Sequence, residues 1–287
     1  MLVVWLEGLL PARVVHWLSA PLSRLVWAAS GTKRRSTVRN LEAAYPDMPA
    51  PEREELARAS MRHYTLNILE IGMSWTWSHR RLRQRFDPPV GLDLLEEAER
   101  EGKGVLILLP HFGPWEISVH WLQPEHPVMA LYKPGESSTL EAAMLDRRQR
   151  FGTRMAATDR AGLRTIYREL NGGGRVIQLP DQNPSAGQGR FVPFFGVQAL
   201  TGVLAPRLIQ RTGCRVLFMV CARSGPGRFR LHFSPAGEDI YSPDIDVALA
   251  AVNRGVERCI AVDPAQYLWA YKRYKSRPEG EPQFYVR

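Results

Sequence analysis

The sequence predicts an α/β fold: a single central mixed sheet covered by helices, with an amino-terminal helical segment set apart from it. Three observations carry this. Gly104-Val-Leu-Ile-Leu-Leu109 is a short, unbroken apolar run, as expected of a strand buried on both faces. Runs of the same kind recur at 128–132, 175–179, 216–222 and 229–233, with helical stretches at about 139–150, 161–171, 199–212 and 246–261. Such alternation implies a helix-covered sheet whose functional groups collect at the carboxyl ends of the strands.

Residues 2–29 are apolar and rich in tryptophan (Trp5, Trp17, Trp27), but Glu7, Arg13 and Arg24 interrupt them and Pro11 and Pro21 punctuate them. No uncharged run approaches the ~20 residues of a spanning helix. As a helix, 13–24 would place Arg13 and Arg24 on one face with His16 and Ser23, and Val14, Trp17, Leu18, Leu22 and Leu25 on the other. This reads as an interfacial membrane helix, followed by the basic cluster Lys33, Arg34 and Arg35. A buried helical hairpin on a soluble core is the alternative, and Pro21 argues against one continuous helix. The expected division is a membrane-anchoring segment over 1–30 and one catalytic domain over 31–287. Residues 51–77 predict a long helix, with Glu52, Glu54 and Glu55 in its first turn where negative charge suits the dipole, and 94–101 predicts another.

The formal charge of +9 and isoelectric point near 9.8 favour anionic partners. Nucleic acid is set aside, since no helix-turn-helix, RNP or zinc pattern accompanies the charge. Cys214, Cys221 and Cys259 are scattered and lack ligand spacing, so neither a disulfide framework nor a metal site is expected.

The chemistry centres on Leu108-Leu-Pro-His111-Phe-Gly-Pro-Trp-Glu116, where a histidine follows a buried strand and a glutamate opens the next helix. Pro110, Gly113 and Pro114 enforce a tight turn across which His111 and Glu116 can face each other. A carboxylate on the far ring nitrogen would hold one tautomer and stabilise the imidazolium, letting the ring take a proton from a hydroxyl. The plainer alternative is a histidine ending the strand and a glutamate at a helix start.

A His-x4-Glu pair after a strand resembles the mark of the glycerolipid acyltransferase superfamily, and the wider pattern resembles the lipid A biosynthesis acyltransferases within it. That pattern includes Val38-Arg-Asn-Leu41, Gly72-Met-Ser-Trp-Thr-Trp77, Tyr132-Lys-Pro134, Leu179-Pro-Asp181-Gln182 and Phe191-Val-Pro-Phe-Phe-Gly196. It continues in Gln266-Tyr-Leu-Trp269, Lys272-Arg273 and Lys275-Ser-Arg-Pro-Glu-Gly280. The resemblance, to the late lauroyl and myristoyl transferases of Kdo-linked lipid IVA, implies transfer of a fatty acyl chain from acyl carrier protein to a hydroxyl of an anionic glycolipid. The product is an acyloxyacyl ester, made at the cytoplasmic face of the bacterial inner membrane. It implies His111 as general base and Glu116 as its orienting partner. No cofactor, metal or covalent acyl-enzyme is implied.

The family's important arginine falls on Arg148, with Arg150 the register alternative; it would hold an acceptor phosphate or stabilise charge on the thioester oxygen. A solvated basic helix face is the competing reading. Asp181 would order its loop or pair with Arg148, or simply cap the turn before Asn183-Pro184. Lys133 stands where relatives commonly carry arginine, and a lysine cannot reproduce a guanidinium fork. The aromatic run 191–195 reads as an acyl-groove wall or plain core, and His120, His126 and His232 as structural or surface groups. The same dyad on another glycerolipid or glycolipid acceptor is the close alternative.

Overall fold

The computed structural model describes residues 8–132, 134 and 138–286, leaving aside the side chains of 138–141. A helical layer comes first: α1 (Ala12–Ala29), α2 (Gly31–Ala44), α3 (Ala50–Thr76), the short α4 (His79–Arg83) and α5 (Leu92–Arg100). There follow β1 (Val105–Leu108), α6 (Trp115–Leu122), β2 (Val128–Tyr132), α7 (Ser138–Gln149), β3 (Arg154–Ala157), α8 (Arg160–Asn171) and β4 (Arg175–Gln178). The hairpin β5 (Gly189–Phe194) and β6 (Val197–Gly202) precedes α9 (Leu204–Thr212), β7 (Arg215–Gly225), β8 (Arg228–Pro235) and α10 (Ile245–Ile260).

The main sheet has six strands in the order β3-β2-β4-β1-β7-β8, the first five parallel and β8 antiparallel to β7. The alternation of strand side chains divides the core. Leu106 and Leu108 of β1 face a cluster with α10 and the carboxyl-terminal segment, while Val105, Ile107 and Leu109 face one with α1, α3, α5 and α6. Burial on both sides accounts for the unbroken apolar run.

Three expectations change. The helix expected from 199 begins only at Leu204, because 197–202 is claimed by the β5–β6 pairing (Val192↔Ala199, Phe191↔Leu200). Phe195 and Gly196 turn that hairpin with φ of 48° and 74°, the double left-handed geometry of a type I′ turn, and the Phe195 amide donates to the Glu257 carboxylate at 2.6 Å. The aromatic run is therefore hairpin and core: Phe194 is buried against Phe195 and Tyr274, and neither phenylalanine reaches the cavity described below.

The second change is that α1 runs unbroken through Pro21. The proline is exposed, so the amide it lacks leaves only a solvent-facing carbonyl without a partner.

The third concerns the faces of α1. Its buried positions are Ala12, Val15, Ser19 and Ser23, and His16 and Ser19 receive Arg62 of α3. Trp17, Leu22 and Leu25 point outward, joined by Arg13 and Arg24, which sequence periodicity assigned to the opposite face. A helix with serines inside and tryptophan outside inverts the pattern of a helix packed on a soluble core. Among the described residues no helix is long and apolar enough to cross a membrane.

Candidate active site

The geometry of the site follows from strand register. β1 and β4 are parallel neighbours paired Leu108↔Gln178, and Leu109 continues the ladder by donating to the Gln178 carbonyl at 2.9 Å. Both strands then end in Leu-Pro, Leu109-Pro110 and Leu179-Pro180, and the same register carried onward sets His111 beside Asp181. The two residues are joined twice. The His111 amide donates to Asp181 Oδ2 at 2.9 Å, and the ring Nδ1 meets Asp181 Oδ1 at 2.8 Å.

Asp181 is 2% exposed. Burial pushes its carboxyl upward, but the His111 ring and both His111 hydrogen bonds outweigh this and hold it below the ordinary carboxylate range. An ionised Asp181 makes Nδ1 the protonated nitrogen of neutral His111 and leaves the Nε2 lone pair facing the cavity, 3.1 Å from Gln182 Nε2. The Trp115 ring meets the imidazole edge-on at 5.2 Å between centroids.

The turn carrying His111 is clamped to the segment after α10. The carbonyl of His111 accepts from the Leu268 amide at 3.1 Å, and the Gly113 amide donates to the Gln266 carbonyl at 2.9 Å. Gly113 has φ of 53°, and a Cβ there would lie 2.0 Å from the Cys221 carbonyl oxygen, so only glycine fits.

Glu116 does not orient His111, contrary to the sequence expectation. Its carboxylate takes the fork of Arg148 from α7, Nε donating to Oε2 at 3.0 Å and Nη2 to Oε1. The reason is topological: the strand bonded to β1 brings a carboxylate to Nδ1, whereas the first turn of α6 presents Glu116 to α7. Asp181 likewise serves His111 rather than Arg148.

Arg150 is elsewhere. It donates to the carbonyls of Ser74, Trp75 and Trp77, satisfying the carboxyl-terminal end of α3. Of these two arginines, Arg148 is the one that lines the cavity, as Arg207 and Arg211 of α9 also do. Lys133 lies outside the described residues.

His111, Trp115, Glu116, Arg148 and Gln182 open into a cavity of about 610 Å³ at the carboxyl edge of the sheet. Its apolar lining includes Leu109, Val119, Ala130, Met155, Leu163 and Leu204. Such a site suits a long apolar chain with its reactive end at the histidine. Burial pushes the thiols of Cys214, Cys221 and Cys259 up, so no cysteine thiolate is available as a nucleophile. Among the described residues no cluster of His, Cys, Asp or Glu is arranged to hold a metal ion.

Other family-like residues prove structural. Buried Arg273 donates to the Leu200 carbonyl, Thr201 Oγ1 and Asn253 Oδ1, tying the β5–β6 hairpin down. Asn40 bridges the carbonyls of Trp269 and Tyr271. Sequence reasoning missed the His111–Asp181 pair, although the repeated Leu-Pro ending of two buried strands was its visible signal.

Comparison with known proteins places the chain in a family. Residues 1–276 match the family described as bacterial lipid A biosynthesis acyltransferase. The chain is 31% identical to the lipid A biosynthesis palmitoleoyltransferase of Escherichia coli (strain K12), over 99% of this chain and 92% of that protein. It is 29% identical to the lauroyltransferase of the same organism over the same shares, and 24% identical to its myristoyltransferase over 98% and 87%. The chain belongs to the bacterial lipid A biosynthesis acyltransferase family, and its chemistry is acyl transfer.

Proposed function

We propose that this enzyme moves a fatty acyl chain from the thioester of an acyl carrier protein to a hydroxyl of a lipid A precursor, forming an acyloxyacyl ester. The observation that carries the reading is His111 held through Nδ1 by buried Asp181, with Nε2 turned into a cavity lined by both apolar and basic side chains. His111 takes the acceptor's hydroxyl proton as the oxygen attacks the thioester carbon, and returns it to the departing sulfur. Asp181 fixes the tautomer and stabilises the imidazolium. The Glu116–Arg148 pair keeps a guanidinium at the cavity, positioned for an anionic group of the acceptor. No cofactor enters this chemistry.

The outward Trp17, Leu22 and Leu25 with Arg13 and Arg24 support residence on the cytoplasmic face of the bacterial inner membrane, α1 lying in the interface. Each basic residue near anionic lipid adds about 1 kcal/mol.

The test is transfer by the purified full chain between an acyl carrier protein thioester and a tetra-acylated, phosphorylated glucosamine disaccharide bearing the inner sugars. The expected product gains one acyl group in mass, located as a secondary ester by fragmentation. Transfer only to lysophospholipid would overturn the acceptor assignment, and transfer from coenzyme A thioesters alone would overturn the donor.

A further inference from the structure

The base nitrogen of His111 is not vacant. Nδ1 donates to ionised Asp181, so Nε2 is an acceptor, and the group 3.1 Å from it is the side-chain nitrogen of Gln182. The amide therefore donates to the lone pair that must receive the acceptor's proton. A substrate hydroxyl must displace it.

Where the amide goes is constrained. The backbone on both sides of Gln182 is pinned: Asp181 by the His111 amide at 2.9 Å, and Asn183 by its own amide donating to the Tyr271 hydroxyl at 2.9 Å. Only the Gln182 side-chain torsions are left to move, and both Gln182 and His111 line the cavity. The displaced amide stays beside the reacting oxygen.

The tetrahedral intermediate needs a donor, and four backbone amides beside the imidazole are already committed elsewhere. The amide of His111 is bonded to Asp181, that of Phe112 to the Pro110 carbonyl, that of Gly113 to the Gln266 carbonyl and that of Asn183 to Tyr271. Arg148 directs Nε and Nη2 to Glu116. We propose that Gln182 is the oxyanion donor of this site, resting on the base nitrogen until the acceptor hydroxyl displaces it and then donating its N–H to the thioester oxygen.

This rests on the acyl-transfer role given to His111. The hydroxyl proton passes to Nε2 while its oxygen bonds the thioester carbon, and the carbonyl electron pair moves onto the oxygen facing Gln182. On collapse that pair re-forms the carbonyl, the carbon–sulfur bond breaks, and the imidazolium proton goes to sulfur.

The experiment compares Gln182→Ala, Gln182→Glu and His111→Ala with the full-length wild type in the transfer assay over a range of pH, with thermal melts alongside. Loss of one oxyanion donor lowers kcat by about 10²–10³-fold, so Gln182→Ala is expected to show that loss with KM within a few-fold of wild type. Gln182→Glu keeps the shape, lacks the amide donor and should fail as badly at neutral pH, so it decides the matter if the alanine variant does not fold.

A second readout separates the amide from mere packing. Without an N–H on Nε2 the neutral ring loses a stabilising hydrogen bond, so the acid limb of the kcat/KM profile moves to higher pH in Gln182→Ala. Turnover equal to or above wild type, or a loss confined to KM, overturns the proposal. If His111→Ala retains turnover, the base assignment itself fails. An inactive His111→Ala beside a fully active Gln182→Ala removes only Gln182.

Discussion

Two networks of histidine, arginine and carboxylate sit on the same sheet and do different things. At the ends of β1 and β4, His111, Glu116 and Arg148 line an open cavity, with Asp181 buried behind the imidazole. Where β7 meets α3, Arg223 donates to both Glu70 oxygens, at 3.2 and 3.0 Å from Nε, and also contacts Asn67 and, at 3.1 Å, His63 Nδ1. The Arg223 and Glu70 side chains are 4% and 5% exposed, so each charge is answered inside the protein. At His111 the Nε2 lone pair meets only the Gln182 side-chain amide, at the edge of the cavity. Residue types do not separate a catalytic network from a structural one; whether a reactive atom faces a cavity does.

The sharpest break of this comparison is His111→Ala. A positioned base contributes about 10²–10⁴-fold, so turnover should fall by that much with an unchanged melting temperature. A folded variant with near-normal turnover would remove His111 from the chemistry. Glu70→Ala should do the opposite. It strands Arg223 in a buried site, at a cost of about 3–5 kcal/mol in urea unfolding, while the remaining folded protein keeps its kcat. A stability change under about 1 kcal/mol would mean the pair is solvated in solution.

Acid should expose buried histidines. Burial foremost, then Arg223, Arg62 and His16, lowers His63 from 6.5 to about 3; burial foremost, with Arg150, His79 and Arg148, does the same to His120. Between those values the unfolded chain binds more protons than the folded one. Stability therefore falls as pH drops below about 6.5, by about 1.4 kcal/mol per pH unit for each ring, levelling near pH 3. Urea midpoints between pH 5 and 7 measure this, and His63→Gln should reduce the slope by up to about 1.4 kcal/mol per pH unit. An unchanged slope in that variant would place its proton elsewhere.

Smaller effects separate the two arginines of α7 and the turn that follows it. Glu116→Ala and Arg148→Ala should each lower kcat/KM, and their double variant should be little worse than the poorer single one, since the pair acts as a unit. Additive losses would show that they work independently. Arg150→Ala should instead cost about 1–3 kcal/mol of stability, by leaving the carbonyls of Ser74, Trp75 and Trp77 without donors, and spare turnover.

Much of this was readable in one dimension. The unbroken run 104–109 announces a strand covered on both faces, and the position of His111 just past it announces a functional group at the sheet edge, because side-chain periodicity and turn chemistry are local. The partner of His111 is not local. Asp181 reaches it only because β4 pairs with β1 in the register Leu108↔Gln178, and nearness along the chain had pointed to Glu116 instead. The same limit governs α1, whose periodicity marks a helix face but not which face α3 covers; packing buried its serines and left Trp17 outside. Local sequence determines which segments form and what chemistry each offers. Which side chains meet is decided by strand pairing and helix packing, since both join residues through space that the chain's own order does not encode.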